Sequence, residues 1–395
     1  MRVLVTTWAW RSHFLSLVPL SWAFRAAGHE LVVASTASLT PVITAAGLPA
    51  VALGKDIDSE VRQMTRWYFE WLTARSAPVT LEDIRERGTS AVELYRLLAD
   101  ASIDDTLEFA RAWKPDIVLY DPTTFVGPLT AAVLDVPAVR HIWGMDYTYR
   151  TREFEPQALA DICSRIGLAG VETLGTVTVD PCPPSLQIDT GADVVRLPMR
   201  FVPYNGPAEL RPWQLEAPRR PRIVILASSI AEPLGDGAAR ALFGAVLRGL
   251  AGFDVEVLAI VDDVERVLSA EVAGDVRFLD PTPLHLLLPH CDLVIHQGGG
   301  GTAMTALAYG VPQLLLPLAA DHTSNAEQLA ERGAGRWMYA GSVTPEAITS
   351  HVRQLLTDPQ YRDQARRLRA EMSAQPSAAR VVESLEDLAA TRGRR

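Results

Sequence analysis

The residues best suited to chemistry lie in one short stretch, where His296 is followed by the glycine run Gly298–Gly301 and by Thr302. The apolar segment Leu293–Ile295 before it predicts a buried strand, and the segment after it predicts a helix that ends at Gly310. Glycine amides at a strand-to-helix switch, together with the positive end of the helix, suit a phosphate or diphosphate. In this interpretation His296 donates to a phosphate oxygen and Thr302 caps the helix. The alternative is a tight turn packed with small residues.

Two further candidates follow predicted strand ends in the first half of the chain. His13 ends a predicted loop before a helix over Leu15–Ala27, and an imidazole there can act as a general base near neutral pH. Asp121 ends another strand, and a carboxylate that bonds one imidazole nitrogen orients the ring and stabilises its protonated form. The alternatives are a capping or core histidine and a turn aspartate before Pro122.

Aromatic residues are concentrated near predicted loops of the first half. Such a group can line a pocket for a flat, apolar molecule, although core packing accounts for some of its members. We include a carboxylate that follows them closely in sequence. The acceptor-binding candidates are Trp8, Trp10, Trp67, Trp71, Trp143 and Asp146.

The composition is that of a globular protein without a nucleic-acid surface. The chain has 395 residues and a net charge of −10, whereas binding to nucleic-acid phosphates needs clustered positive charge. Lys55 and Lys114 are the only lysines, so a Walker-type nucleotide site is not expected. Three cysteines, odd in number and without metal-ligand spacing, indicate a reducing cytoplasm and no disulfide framework. No uninterrupted apolar segment reaches about 20 residues, which predicts that no helix enters a membrane.

The order of predicted elements repeats in the two halves of the chain. Each half opens with a strand, a loop, a helix and a second strand. This alternation predicts an α/β protein with two facing Rossmann-like domains, parallel sheets and an interdomain cleft. We assign 1–202 to the first domain, 203–221 to a proline-rich linker and 222–375 to the second domain. The remaining residues, 376–395, contain a helix that could pack back on the first domain.

Three C-terminal segments resemble the signature of family 1 glycosyltransferases of the GT-B fold: they run from Cys291 to Thr302, from Ala308 to Gln313 and from Asp321 to Ala326. The segment from His13 to Glu30 matches this family as well. The resemblance spans nearly the whole chain and is greatest to actinomycete enzymes that glycosylate polyketides and other natural products. It implies an inverting transfer of a deoxysugar, most often from a dTDP-sugar, to an aromatic or polyketide aglycone in antibiotic biosynthesis.

The resemblance also implies roles for individual residues. His13 would deprotonate the acceptor hydroxyl with Asp121 as its partner. No metal and no cofactor would be needed beyond the nucleotide-sugar co-substrate. The donor-binding residues would be Ser228, Ser229, Thr282, Leu284, His296, Gly298, Gly299, Gly300, Gly301, Thr302, Asp321 and His322.

The chain departs from the commoner family pattern at several positions. Gln297 replaces a frequent second histidine, Gly300 a frequent alanine, and His322 the usual glutamine. The histidine at position 322 leaves the preference for a particular sugar open. The lack of an aromatic residue at Leu279-Asp280 leaves open whether the donor carries dTDP or UDP.

Other functions are also compatible with this sequence. A nucleotide-sugar epimerase of the same fold would turn over the sugar without an acceptor, and a non-catalytic activator protein would bind the donor without transfer. A membrane-associated transferase would need a basic, apolar patch that the net acidity does not favour. A phenolic acceptor could react through its oxygen or through the adjacent ring carbon. We expect a cytoplasmic protein that acts on small molecules, with a homodimer and an auxiliary activator protein as open possibilities.

Overall fold

The computed structural model describes residues 1–57, 59–61, 63–64, 81–148, 151–191, 194–226, 236–260, 275–318 and 320–392. Two parallel sheets organise these residues into two Rossmann-like domains, as the alternation of predicted strands and helices indicates.

The first sheet contains seven strands within the described ranges, in the order β3-β2-β1-β4-β5-β6-β7. All neighbouring pairs are parallel. Its central strand, Ile117–Tyr120, is apolar along its length because helices cover both faces of the sheet. The strands are β1 (Arg2–Thr6), β2 (Glu30–Ser35), β3 (Ala50–Ala52), β4 (Ile117–Tyr120), β5 (Ala138–His141), β6 (Val177–Asp180) and β7 (Arg196–Pro198).

The first helix of this domain begins earlier than predicted. It starts at Arg11, directly after the extended residue Trp10 (φ −121°, ψ 106°), so the predicted loop through His13 is wrong. His13 lies in the first turn of the helix, which holds its side chain close to the strand ends. The helices are α1 (Arg11–Ala26), α2 (Thr40–Ala45), α3 (Leu81–Trp113), α4 (Val126–Leu134) and α5 (Glu155–Arg165).

The second sheet has six strands within the described ranges, in the order β10-β9-β8-β11-β12-β13, again all parallel. The chain reverses its direction of travel across the sheet between β8 and β11, which leaves a crevice at their carboxyl ends. The strands are β8 (Arg222–Leu226), β9 (Glu256–Ile260), β10 (Val276–Leu279), β11 (Leu293–His296), β12 (Gln313–Leu315) and β13 (Gly335–Trp337).

Helices of the second domain complete its two outer layers. The predicted end of the helix after the glycine run is correct: Gly310 follows its last residue in the left-handed region (φ 67°), which favours glycine. The helices are α6 (Asp236–Leu250), α7 (Gly300–Tyr309), α8 (Ala320–Glu331), α9 (Pro345–Thr357) and α10 (Pro359–Ala374).

The last helix, α11 (Ala378–Arg392), crosses back to the first domain. Val381, Val382 and Leu385 belong to the same buried core as the apolar face of α1. His29 Nε2 lies 2.8 Å from Glu386 Oε1, which adds a polar contact at the same interface. The chain therefore connects its two domains a second time, beside the start of the linker, where Tyr204 packs against the same core.

The two domains also share a hydrophobic core beside the cleft. Met145, Cys182 and Leu186 of the first domain pack in one cluster with Met304 and Leu307 of α7. This contact sets the carboxyl ends of the two sheets across from each other.

Candidate active site

A cleft with a volume of about 1250 Å³ lies between the domains. Its walls include segments that follow the carboxyl ends of parallel strands, which is where ligands bind in such sheets. The sequence-predicted residues that line it are Trp8, Trp10, His13, Trp143, Gly299, Gly300, Gly301, Thr302, Asp321 and His322.

His13 and Asp121 meet at the floor of this cleft. His13 Nδ1 lies 3.4 Å from Asp121 Oδ1, with the carboxylate fully buried and 15% of the imidazole side chain exposed. The hydroxyls of Thr7, Thr123 and Thr124 donate to the carboxylate. Burial acts to raise the pKa of Asp121, but the hydrogen bond and charge of His13, together with the threonine hydroxyls, hold it below its usual value of 3.8. Asp121 is therefore an ionised partner for His13 at neutral pH.

The hydrogen-bond pattern around Thr123 determines which nitrogen of His13 carries the proton. Trp8 Nε1 donates to Thr123 Oγ1 at 2.9 Å, and Thr123 Oγ1 donates to Asp121 Oδ1 at 2.6 Å. His13 Nδ1 lies 3.2 Å from the same hydroxyl. An indole N–H only donates and a carboxylate only accepts, so the hydroxyl proton points to Asp121. His13 Nδ1 thus faces two acceptors and carries the proton, which leaves Nε2 of the neutral ring free to accept one.

Three of the predicted tryptophans surround His13. Trp143 stacks on the imidazole, with ring centroids 4.0 Å apart and an interplanar angle of 23°. Trp8 approaches the same ring edge-on at 5.6 Å and stacks on Trp10 at 5.0 Å. Trp10 is 36% exposed, so an apolar face remains open at the mouth of the cleft.

The glycine run forms the turn between β11 and α7, as predicted. Gly298 has φ +102°, a conformation that side chains rarely adopt, and α7 begins at Gly300 with Gly299 as its N-cap. The start of this helix lines the cleft, so its positive end suits an anionic ligand there. Thr302 does not cap the helix, contrary to expectation, because the helix starts before it.

His296 does not present a free N–H to the cleft, which corrects its predicted role as a phosphate donor. Its Nδ1 accepts from the amide of Gly298 at 3.0 Å, and its Nε2 lies 2.8 Å from Gln313 Oε1 and donates to it. Gln313 Nε2 donates in turn to the carbonyl of Ala303 at 3.2 Å. Burial lowers the pKa of His296 to about 4, so the ring is neutral near pH 7. His296 holds the turn of the glycine run in shape.

A different imidazole lies beside the glycine run. A Cβ on Gly299 would be 3.7 Å from His322 Nε2, and one on Gly298 would be 2.9 Å from the His322 carbonyl oxygen. His322 Nδ1 is buried without a hydrogen-bond partner among the described residues. Asp321 Oδ2 lies 3.9 Å from His322 Nε2, and both residues line the cleft.

Two of the predicted donor-binding residues, Thr282 and Leu284, are not part of the cleft lining. Leu284 is buried in a hydrophobic cluster with Leu258 and Val294, so its side chain supports the sheet. The hydroxyl of Thr282 donates to the carbonyl of Asp280 at 2.8 Å. Four further candidates lie outside the described residues. They are Trp67, Trp71, Ser228 and Ser229.

Asp146 is not part of the acceptor pocket, which corrects the prediction for this residue. It is 2% exposed, and its carboxylate is 2.5 Å from Arg140 Nη2 and 3.1 Å from Arg196 Nη2. Thr148 donates a further hydrogen bond at 2.7 Å. Burial acts to raise the pKa of Asp146, but the charge of Arg140 and its other partners lower it overall. Both cations satisfy a buried structural carboxylate.

Sequence reasoning did not identify Thr123 and Gln313. Thr123 has a weak signal, because hydroxyl residues directly follow Asp121 at a strand end. Gln313 has a clearer one, since a polar amide stands at the start of the apolar segment that forms β12 and is fully buried there.

The described part of the chain contains neither a candidate metal site nor a helix that could span a membrane. No group of His, Cys, Asp and Glu residues there could hold a metal ion. No described helix is long and apolar enough to cross a membrane.

The fold consists of two facing Rossmann-like domains. A glycine-rich helix start lies on one wall of their cleft, and an imidazole–carboxylate pair lies on the other. Together these features define a glycosyltransferase of the GT-B fold. Family models for the erythromycin biosynthesis protein CIII-like N-terminal and C-terminal domains match residues 22–228 and 244–388. The chain belongs to this EryCIII-like family of glycosyltransferases.

Individual relatives extend over the full length of the chain. It is 37% identical to 10-deoxymethynolide desosaminyltransferase of Streptomyces venezuelae, covering 99% of this chain and 97% of the relative. It is 35% identical to 3-alpha-mycarosylerythronolide B desosaminyl transferase of Saccharopolyspora erythraea, covering 99% of both chains. Among solved structures, glycosyltransferase VinC in complex with dTDP has a TM-score of 0.84 at 31% identity, covering 99% of this chain and 100% of that one. Spinosyn rhamnosyltransferase SpnG complexed with the spinosyn aglycone has a TM-score of 0.81 at 29% identity, covering 98% and 100%.

Proposed function

We propose that this chain transfers a deoxysugar from a dTDP-sugar to a polyketide aglycone in antibiotic biosynthesis, with inversion at the anomeric carbon. The observation that carries the proposal is that His13 and the glycine run line the same cleft from opposite domains. The names of the two relatives above, both desosaminyltransferases, support a deoxysugar and a macrolide-type acceptor. The dTDP complex of VinC supports the nucleotide.

His13 acts as the general base through Nε2. Its Nδ1–H faces Asp121 and Thr123, so the free lone pair lies on the other nitrogen. The acceptor hydroxyl gives its proton to Nε2 while its oxygen attacks the anomeric carbon. The bond from this carbon to the diphosphate oxygen breaks, and dTDP leaves with the electron pair. Attack from the side opposite the leaving group inverts the centre, and Asp121 stabilises the imidazolium that forms.

The second domain stabilises the leaving diphosphate. The amides of Gly299, Gly300 and Gly301 lie at the positive end of α7, where negative charge develops as the bond breaks. His322 lies beside this run and supplies the imidazole that His296 does not, because both nitrogens of His296 are engaged within the protein. The step needs no metal ion in this proposal.

Calorimetric titration in the presence of EDTA tests the donor site. We expect dTDP to bind more tightly than UDP and NAD not to bind. Binding of NAD alone, or of no nucleotide, would contradict the proposal.

A transfer assay with a panel of dTDP-deoxysugars and macrolide aglycones, read by mass spectrometry, tests the reaction. The proposal predicts a glycosylated product and dTDP in equal amounts. Conversion of the sugar without an acceptor would indicate an epimerase instead. Tight dTDP binding with no transfer across the panel would favour an activator protein.

A further inference from the structure

Trp143 links the reacting centre to the second domain. It follows β5 in the first domain, is 7% exposed, and stacks on the His13 ring at 4.0 Å. It also lies against the first turn of α7. A Cβ built on Gly300 would lie 2.7 Å from Trp143 Cδ1 and 3.3 Å from its Nε1. One indole therefore contacts both the base and the helix that faces the donor.

The contact between Trp143 and Gly300 leaves no space for a methyl group at position 300. Carbon atoms do not approach to 2.7 Å without something shifting, so alanine at position 300 requires the indole to move. The next residue of the loop also packs against the helix at ordinary contact distance: a Cβ on Gly144 would be 3.4 Å from Met304 Cγ and 3.7 Å from the Gly300 Cα. By contrast, a Cβ on Gly301 would meet no atom within 4 Å.

We propose that Trp143 is a positioning residue that holds His13 in register with the donor-binding helix, and that Gly300 provides the space in which its indole lies. The glycine at position 300 is matched to this tryptophan. A methyl group at 300 pushes the indole off the helix and disturbs its stack on the imidazole. The catalytic consequence of the pair rests on the proposed transfer reaction, whereas the packing itself does not.

Nuclear magnetic resonance of histidine-labelled protein tests the coupling without substrate. The indole ring shifts the Cε1 proton of His13, and the signal is assigned as the one missing in His13→Gln. We expect Gly300→Ala to move this signal towards its position in Trp143→Leu. Gly301→Ala, the matched control, leaves it in place. In the Trp143→Leu background Gly300→Ala has no further effect. Equal shifts from both alanines, or an undiminished effect without the indole, would overturn the proposal.

Thermal unfolding of the same variants gives a second readout that is independent of activity. Gly300→Ala lowers the apparent Tm by roughly 2–10 °C when Trp143 is present, because the helix becomes overpacked. The decrease disappears in Trp143→Leu, where alanine only improves helix propensity. Gly301→Ala gives the same change in both backgrounds. Additive effects of Gly300→Ala and Trp143→Leu would refute a matched pair.

Turnover separates this inference from the proposed reaction. Gly300→Ala is expected to lower kcat at least tenfold in the natural background and by less than about twofold in Trp143→Leu. If the spectroscopic coupling is found but no variant transfers sugar, the proposed function fails and the packing stands. If the natural protein transfers sugar and Gly300→Ala does so equally well, the positioning role fails alone.

Discussion

Replacing Thr123 with valine tests the hydrogen-bond pattern that directs the proton of His13. Valine keeps the shape of threonine and removes the hydroxyl that donates to Asp121 Oδ1 at 2.6 Å and accepts from Trp8 Nε1 at 2.9 Å. Without it, His13 Nδ1 retains only the carboxylate oxygen at 3.4 Å as an acceptor. The preference for a proton on Nδ1 weakens, and a smaller fraction of the enzyme presents an unprotonated Nε2.

The magnitude follows from the bonds that are lost. A hydrogen bond to a buried carboxylate contributes about 1.5–3 kcal/mol, and a buried donor without an acceptor costs about 1–3 kcal/mol. These two contributions together predict that Thr123→Val lowers the free energy of unfolding by about 2.5–6 kcal/mol. The loss of base orientation lowers kcat by roughly 10- to 100-fold, equivalent to about 1.4–2.7 kcal/mol.

The same substitution also changes how the stability of the protein depends on pH. The pKa of Asp121 lies below 3.8 in the folded protein, so its contribution to stability is present above that value and is lost as pH falls through the folded pKa. Removing the Thr123 hydroxyl lets this pKa rise. Acid unfolding of Thr123→Val therefore begins at a higher pH than that of the natural protein.

The assay compares Thr123→Val with Thr123→Ser, which keeps the hydroxyl. Steady-state transfer rates, dTDP titration and urea unfolding at pH 7 are measured for both. The serine variant restores most of kcat, and neither variant changes dTDP affinity beyond about threefold, since the residue lies on the acceptor side. An equal loss of kcat in Thr123→Val and Thr123→Ser, or an unchanged kcat in Thr123→Val, would refute the argument that the Thr123 hydroxyl keeps the proton on His13 Nδ1.

The other predictions concern the base, the glycine run and the buried histidines. His13→Ala lowers turnover by roughly 10²–10⁴-fold with nearly unchanged dTDP affinity; a large loss of dTDP binding would remove it from the base role. His296→Ala weakens dTDP binding about tenfold in calorimetry, whereas His296→Asn, whose side-chain oxygen can still accept from the Gly298 amide, stays within about threefold. Equal losses in both would point to direct phosphate contact. Burial lowers the pKa of His141 from 6.5 to about 4, so stability falls as pH falls between these values. In His141→Leu, urea midpoints depend less steeply on pH in this window, and an unchanged slope would contradict the assignment.

Local patterns were enough to predict the glycine-rich turn and the elements on either side of it. The apolar segment before the glycine run, the glycines and the Gly310 stop predict strand, turn and helix, because each is a property of a few consecutive residues. His13 and Asp121 could be paired in advance since the carboxyl ends of parallel strands share one edge of the sheet. The start of α1 was missed because Arg11 follows Trp10 without a capping side chain to mark it.

Pairings between distant segments required the tertiary structure. His296 and Gln313 meet because β11 and β12 are neighbours in register, with Val294 opposite Gln313. Nothing near His296 in sequence shows that both its nitrogens are engaged. In the sequence, Asp146 is likewise only a carboxylate close to Trp143. The structure shows that Arg140 and Arg196 form ion pairs with it.

The sequence by itself determined the parallel α/β architecture and the glycine-rich turn, because periodicity and residue chemistry act locally. Only the tertiary structure decided which imidazole lies beside the glycine run on the cleft side, which nitrogen of His13 holds its proton, and how closely Trp143 packs against position 300. Each of these depends on a partner from another strand, loop or domain. His13 and Thr123, for example, are 110 residues apart in the chain and 3.2 Å apart in space.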